Sequence, residues 1–160
     1  MCPAGSPRTG KGQTVELVIR PYSESDFEAV SEVWFTSWQS VGVNVPDPAL
    51  RTTLRERLPL EIANGWAVHV AVIGPDVVGF LALHGNRLAQ LFVAPAMQGQ
   101  GIGKQLLDFA KAERPDGFYL TTQPIEGPAC RFYEREGLRR GPIGTHPKYG
   151  HPNVRYDWPP

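Results

Sequence analysis

Three glycines at alternate positions, Gly99, Gly101 and Gly103, stand between Gln98 and Lys104, interleaved with Gln100 and Ile102. Such a run leaves the backbone with no side chains in its way. Ile102, Leu106 and Ala110 then recur at helical spacing, with Leu107 alongside, and predict a helix to about Glu113. A bare glycine turn feeding a helix start aims free backbone N–H groups and the positive end of the helix dipole at one point. That is an anion site, and it suits a phosphate. Upstream, Leu91, Phe92 and Val93 are apolar and read as a buried strand. Pro95 cannot donate to a sheet ladder, so the strand ends there.

Two phosphate-binding loops fail against these letters. The nucleotide P-loop needs glycine, four residues, then Gly-Lys-Ser/Thr. Here Gly103-Lys104 is followed by Gln105, and the leading position is Gln98. The dinucleotide fingerprint G-x-G-x-x-G needs a third glycine where this chain has Lys104 or, counted from Gly101, Leu106.

The elements that position this turn follow from periodicity and punctuation. Val15 to Arg20 reads as a first strand closed by Pro21. Ser25 with Glu28 fits a capping box, and Phe27, Val30, Val33, Trp34 and Trp38 share one face of a first helix. Val41 to Pro46 is a loop. Asp47-Pro48 caps a second helix, interrupted or kinked near Pro59 and ended by Asn64-Gly65. Trp66 to Ile73 and Val77 to Leu83 form a hairpin, and Arg87 to Val93 delivers the glycine turn. Phe118 to Thr122 is a strand, and Pro128 opens a helix that Gly137 closes. Short strands near Leu138 to Arg140 and Val154 to Trp158 flank a Gly/Pro/His loop over Gly141 to Asn153. The order β-α-α-β-β-β-α-β-α-β-β predicts one α/β domain over residues 15–160 with a central mixed sheet.

Composition sets bounds. At 160 residues the chain is long enough for a real core. Net charge is zero, with no basic surface for nucleic acid and no apolar run of membrane-spanning length. Residues 1–14 carry almost no apolar side chains and are expected to be disordered. Cys2 and Cys130 lie in unlike settings, so no disulfide is expected and a cytoplasmic location fits. No set of metal ligands stands out.

Gln98, Gly101 and Gly103 match Q/R-x-x-G-x-G/A, and Val93 and Pro95 supply a V-x-P lead-in. This stretch resembles the signature of the GCN5-related N-acetyltransferase (GNAT) superfamily. Ala129, Phe132, Tyr133, Gly137 and Leu138 are similar to that family's later helix, A-x-x-F-Y-x-x-x-G-F, at the expected distance behind the turn. The resemblance covers roughly Val15 to Trp158. It implies a GNAT-like fold, a mostly antiparallel twisted sheet flanked by helices, with acetyl-coenzyme A as acyl donor and an amine as acceptor. The assembly it implies is a monomer or a homodimer.

By that resemblance, backbone groups of Leu91, Phe92 and Val93 bind the pantetheine arm as an added strand. Gln98, Gly99, Gln100, Gly101, Ile102, Gly103 and Lys104 hold the pyrophosphate. Tyr133 matches the family's general acid to the leaving thiolate. A phenol pKa of about 10 is near enough to a thiol's roughly 8.5 for proton donation. Where the family often has an asparagine against the cofactor arm, this chain has Glu126. The strand before the turn carries Arg87 and Gln90 and no acid. Base candidates are therefore His84, Glu126, His146, His151 or an ordered water. The acceptor walls are Trp34, Trp38, Gln39 and the Val41 to Pro46 loop on one side, and His146, Lys148, Tyr149 and His151 on the other. The competing readings are transfer of another acyl group and a coenzyme A-binding regulatory module without turnover.

Overall fold

The structure, a computed structural model of the chain, describes residues 16–40, 50–123, 127–147, 150 and 152–159. The elements run β1 (Leu17–Pro21), α1 (Phe27–Ser40), α2 (Leu50–Ala63), β2 (Ala67–Ile73), β3 (Asp76–His84), β4 (Arg87–Val93), α3 (Ile102–Glu113), β5 (Phe118–Thr122), α4 (Pro128–Arg135), β6 (Arg139–Thr145) and β7 (Pro152–Trp158). The seven strands form one sheet in the order β1-β2-β3-β4-β5-β7-β6. Every neighbouring pair is antiparallel except β4 with β5, which is parallel.

The sheet is covered on both faces, which explains its long apolar strands. Val30, Val33 and Trp34 of α1 and Leu54 and Leu58 of α2 pack with Val68, Val70, Phe80 and Ala82 in one buried cluster. Leu106, Leu107 and Ala110 of α3 and Cys130 and Tyr133 of α4 pack with Leu81, Leu83, Val93, Leu120 and Tyr156 in another. Alternation along β3 sends Phe80 and Ala82 to the first cluster and Leu81 and Leu83 to the second.

β1 ends on Pro21, as the sequence predicts. It is an edge strand, where the missing donor can face away from the ladder. Three local expectations change. The capping box is Ser23 with Asp26, not Ser25 with Glu28. Asp26 accepts from the Ser23 amide at 2.9 Å and from the Arg20 guanidinium at 2.8 and 3.0 Å, while Glu28 pairs with Arg55 of α2. α2 runs on through Pro59, which lies on its exposed side, so the carbonyl a turn earlier can be met by water. Finally, β6 reaches Thr145 and β7 starts at Pro152, so the late loop is shorter than its Gly and Pro content suggests. The register shifts between Arg140 and Ile143, absorbing Gly141 and Pro142 as a bulge in an edge strand.

Candidate active site

β4 and β5 share a single register pair, Arg87 with Tyr119, at the start of both strands. The Tyr119 amide donates to the Asn86 carbonyl at 2.9 Å, and the ladder ends there. Toward Val93 the two strands leave an opening between them. The backbone of β4 lining it follows from antiparallel geometry. Gly79 faces Val93, and the Ala94 amide donates to the Val78 carbonyl at 2.8 Å, so that facing pair exchanges no hydrogen bonds of its own. Phe92 therefore forms the hydrogen-bonded pair with Phe80, and the main-chain groups of Leu91 and Val93 point toward β5. Phe92 is thus unavailable for main-chain strand addition, a correction to the expectation from sequence. Its side chain packs against the α1 side, with its ring 6.0 Å from that of Phe80. Between Gln90 and Leu88 the pairing to β3 skips Ala89, a bulge that re-aims the strand in front of the opening.

Behind Val93, a short 3-10 turn over Pro95–Met97 leads into the glycine turn. Gly99 and Gly101 adopt φ of 84° and 82°, left-handed values that L side chains rarely take. A β-carbon at either would meet nothing within 4 Å, so the space above the turn is open to a ligand. Gly101 is the N-cap of α3, and the first helical bond runs from the Gln105 amide to the Gly101 carbonyl at 3.1 Å. The amides of Ile102, Gly103 and Lys104 precede that bond and have no turn before them to donate to. These groups fit a pyrophosphate in type and number of donors. The Ile102 side chain is buried and anchors α3 to the sheet. Gly103 lets the Phe132 ring and Val93 lie close over the first turn, 3.6 and 3.8 Å from where a β-carbon would sit.

Two side chains of the turn are engaged within the protein. The Gln98 amide donates to the Val93 carbonyl at 3.2 Å, folding the turn back onto the end of β4. The Lys104 ammonium pairs with Glu136 at 3.1 Å and Asp108 at 3.3 Å, and these carboxylates raise its pKa.

Tyr133 is buried on α4 in the cluster that holds Leu91 and Val93 of β4 and Leu120 of β5, the two walls of the opening. Burial pushes its phenol pKa well above the ordinary value, and among the described residues no hydrogen bond involves its hydroxyl. The Tyr133 ring lies 5.8 Å from that of Tyr156. The Tyr156 hydroxyl donates to Glu134 at 2.5 Å, and Arg140 lies 3.3 Å from that hydroxyl and 3.4 Å from the same carboxylate. Burial, then the hydrogen bond to Glu134, raises the Tyr156 pKa, and the bond from Tyr156 lowers that of Glu134. This network ties α4 to β6 and β7 and braces the helix that carries Tyr133.

The structure separates the other expected residues. His84 is exposed at the β3–β4 hairpin tip, paired with Arg87. The seven residues of β4 put it roughly 20 Å from the glycine turn, too far to share a site with it. Trp34 is wholly buried against Trp66 and Phe80 and cannot form an acceptor wall. Trp38, one turn further along α1, is partly buried at the edge of the same cluster. His146 is partly buried after β6, and its carbonyl accepts from the Gly150 amide at 2.9 Å. Glu126, Lys148, Tyr149, His151, Cys2 and the Val41 to Pro46 loop lie outside the described residues. Among the described residues no group of His, Cys, Asp and Glu could hold a metal ion, and no helix is long and apolar enough to cross a membrane. Three contributors carry no signal in the sequence: Ala89, whose bulge needs no special residue type; Tyr156, one aromatic among several; and Ser37, a neutral residue inside a helical run.

Comparison with known proteins agrees with this geometry. Residues 64–139 match the acetyltransferase (GNAT) domain family. The peptidyl-lysine N-acetyltransferase YjaB of Salmonella typhimurium is 37% identical over 71 residues, which are 44% of this chain and 48% of that relative. That alignment spans about half the length of the relative. The peptidyl-lysine N-acetyltransferase YiaC of Escherichia coli is 28% identical over 131 residues, covering 76% of this chain and 82% of that one. The PaiA N-acetyltransferase of Thermoplasma acidophilum, solved in complex with coenzyme A, shares the fold with a TM-score of 0.71 at 20% identity, over 89% of this chain and 98% of that one. The parallel β4–β5 pair that opens toward a glycine turn lies within residues 64–139, the stretch of this chain that matches the GNAT acetyltransferase domain.

Proposed function

We propose that the chain transfers an acetyl group from acetyl-coenzyme A to a primary amine by direct attack in a ternary complex, and that the amine is a lysine side chain of a protein. The observation that carries the reading is the opening beyond Arg87 and Tyr119, which runs from the end of the β4–β5 ladder to the bare turn at Gly99 and Gly101. The lysine acceptor is supported by the names of the two curated relatives.

The donor brings an activated thioester, so the protein's task is placement and proton handling. Main-chain groups of Leu91 and the Val93 amide hold the pantetheine arm as an added strand. The turn from Gln98 to Lys104, with the first amides of α3, holds the pyrophosphate, and Lys104 offers its charge after exchange with Glu136 and Asp108. Burial keeps Tyr133 protonated and also makes it a weaker acid than a free phenol, so its role rests on position beside the departing sulfur and its proton moves only as charge develops there. β4 offers Arg87 and Gln90 and no carboxylate, so the proton of the amine goes to a group off that strand: Glu126, His146, His151 or an ordered water. Trp38 and His146 flank the acceptor's approach.

Calorimetric titration with acetyl-coenzyme A followed by a thiol-release assay on a lysine peptide tests the reading. Saturable binding with thiol release supports it. Binding without thiol release across a panel of amines makes the chain a coenzyme A-binding module, and absent binding removes the donor assignment.

A further inference from the structure

Ser37 of α1 and Val93 of β4 are 56 positions apart, yet the Ser37 hydroxyl donates to the Val93 carbonyl at 3.2 Å. Ser37 is 1% exposed, so this bond forms away from water. The Gln98 side-chain amide donates to the same oxygen at 3.2 Å. A carbonyl oxygen has two lone pairs, and two protein donors converge on this one. On its other side the same peptide unit is held by the Ala94 amide, which donates to the Val78 carbonyl at 2.8 Å. Three hydrogen bonds, from α1, from the glycine turn and to β3, therefore fix the plane of the one peptide from which the turn hangs.

We propose that Ser37 is a positioning residue for the acyl-donor site, acting through the Val93 carbonyl. The proposal rests on the reading of that opening as the donor site. Pinned in this way, the Val93 carbonyl accepts nothing from the pantetheine arm. The main-chain groups of Leu91 and the amide of Val93 remain for strand addition. The same bond links α1, which carries Trp38 in the next position, to the strand that receives the donor. Loss of the Ser37 hydroxyl leaves a buried carbonyl with one donor fewer and lets the peptide rotate, and the glycine turn moves with it.

The test compares Ser37→Ala with Thr36→Ala. Alanine is a stronger helix former than serine or threonine, so both variants keep α1. Among the described residues Thr36 bonds only the Glu32 and Val33 carbonyls of its own helix, at 2.8 and 3.3 Å, and it serves as the control. Titration with coenzyme A should show Ser37→Ala binding about five- to tenfold more weakly, the loss expected of one buried hydrogen bond. Thr36→Ala should match the unaltered protein. Gln98→Ala should also weaken binding, and the double variant should lose less than the product of the two single losses, because both act on one oxygen. Equal affinity of Ser37→Ala and the unaltered protein, or an equal loss in Thr36→Ala, overturns the proposal while the donor reading stands. An unaltered protein that does not bind coenzyme A overturns the donor reading first and the role of Ser37 with it.

Discussion

Arg87 of β4 and Tyr119 of β5 face each other in register, and among the described residues no other pair of these two strands does so. The other neighbouring strands of the sheet share five to seven register pairs. The gap is therefore local to the one parallel junction, where the main-chain groups of Leu91 and the Val93 amide are left facing outward without a ladder. A thioester-bearing arm with amides of its own can complete that ladder, and this is where the chemistry is expected.

The glycine turn should tolerate neither charge nor bulk. Gly101→Glu forces a side chain onto a backbone with φ of 82° and puts a carboxylate beside the proposed phosphate site. Strain of about 1–2 kcal/mol adds to the repulsion. Coenzyme A affinity, read by calorimetry, should fall at least about tenfold. Unchanged affinity would remove the phosphate assignment.

Tyr133→Phe should lower kcat by about a hundredfold, the low end of what a positioned acid contributes, and leave the acetyl-coenzyme A affinity intact. The melting temperature should hold, because the hydroxyl makes no hydrogen bond among the described residues. Steady-state kinetics beside a thermal melt checks both. Undiminished turnover sinks the acid role.

The pH profile follows from the same residue. Burial raises the Tyr133 pKa, so the phenol stays protonated beyond the range where an ordinary tyrosine ionises. The acceptor amine, with a pKa of about 10, gains its reactive neutral form as pH rises. The rate at subsaturating acceptor should climb from pH 7 to about 10 with no alkaline fall. A bell centred near pH 8 would assign the proton transfers to other groups.

Asp26 makes stability depend on acid. The bond from Arg20 holds its carboxyl below the usual range, so its folded pKa is lower than its unfolded one. The contribution is present above the unfolded value of about 4 and is lost as pH falls through the folded one. Denaturant midpoints of the unaltered protein and Asp26→Asn should differ at pH 7 and converge in strong acid. A constant difference across that range would mean the carboxylate charge is not what Arg20 recognises.

Trp34 separates core from acceptor wall. It is fully buried, and Trp34→Ala should cost about 3–5 kcal/mol of stability. Trp34→Phe should fold and keep the KM for the acceptor unchanged. A raised acceptor KM in that folded variant would return Trp34 to the substrate site.

Much of this protein was legible in its residues. The glycine spacing after Gln98, the period of Ile102, Leu106 and Ala110, and Pro128 at a helix start are local signals. They place the bounds of β4, β5, α3 and α4 where the structure has them. Local signals suffice there because turn chemistry and periodicity act over a few residues. They misled where neighbours decided. Gly141 and Pro142 read as stops, yet they sit in an edge strand whose outer side needs no donors. The site itself divides the same way. Sequence alone determined which backbone could cradle a phosphate and that Tyr133 follows it on a later helix. Only the tertiary structure decided that β4 parts from β5 beyond Tyr119, that Phe92 is spent on β3, that His84 lies at the wrong end of its strand, and that Ser37 reaches Val93. Each of those depends on which strands pair and in what register, a matter of contacts between residues far apart in the chain.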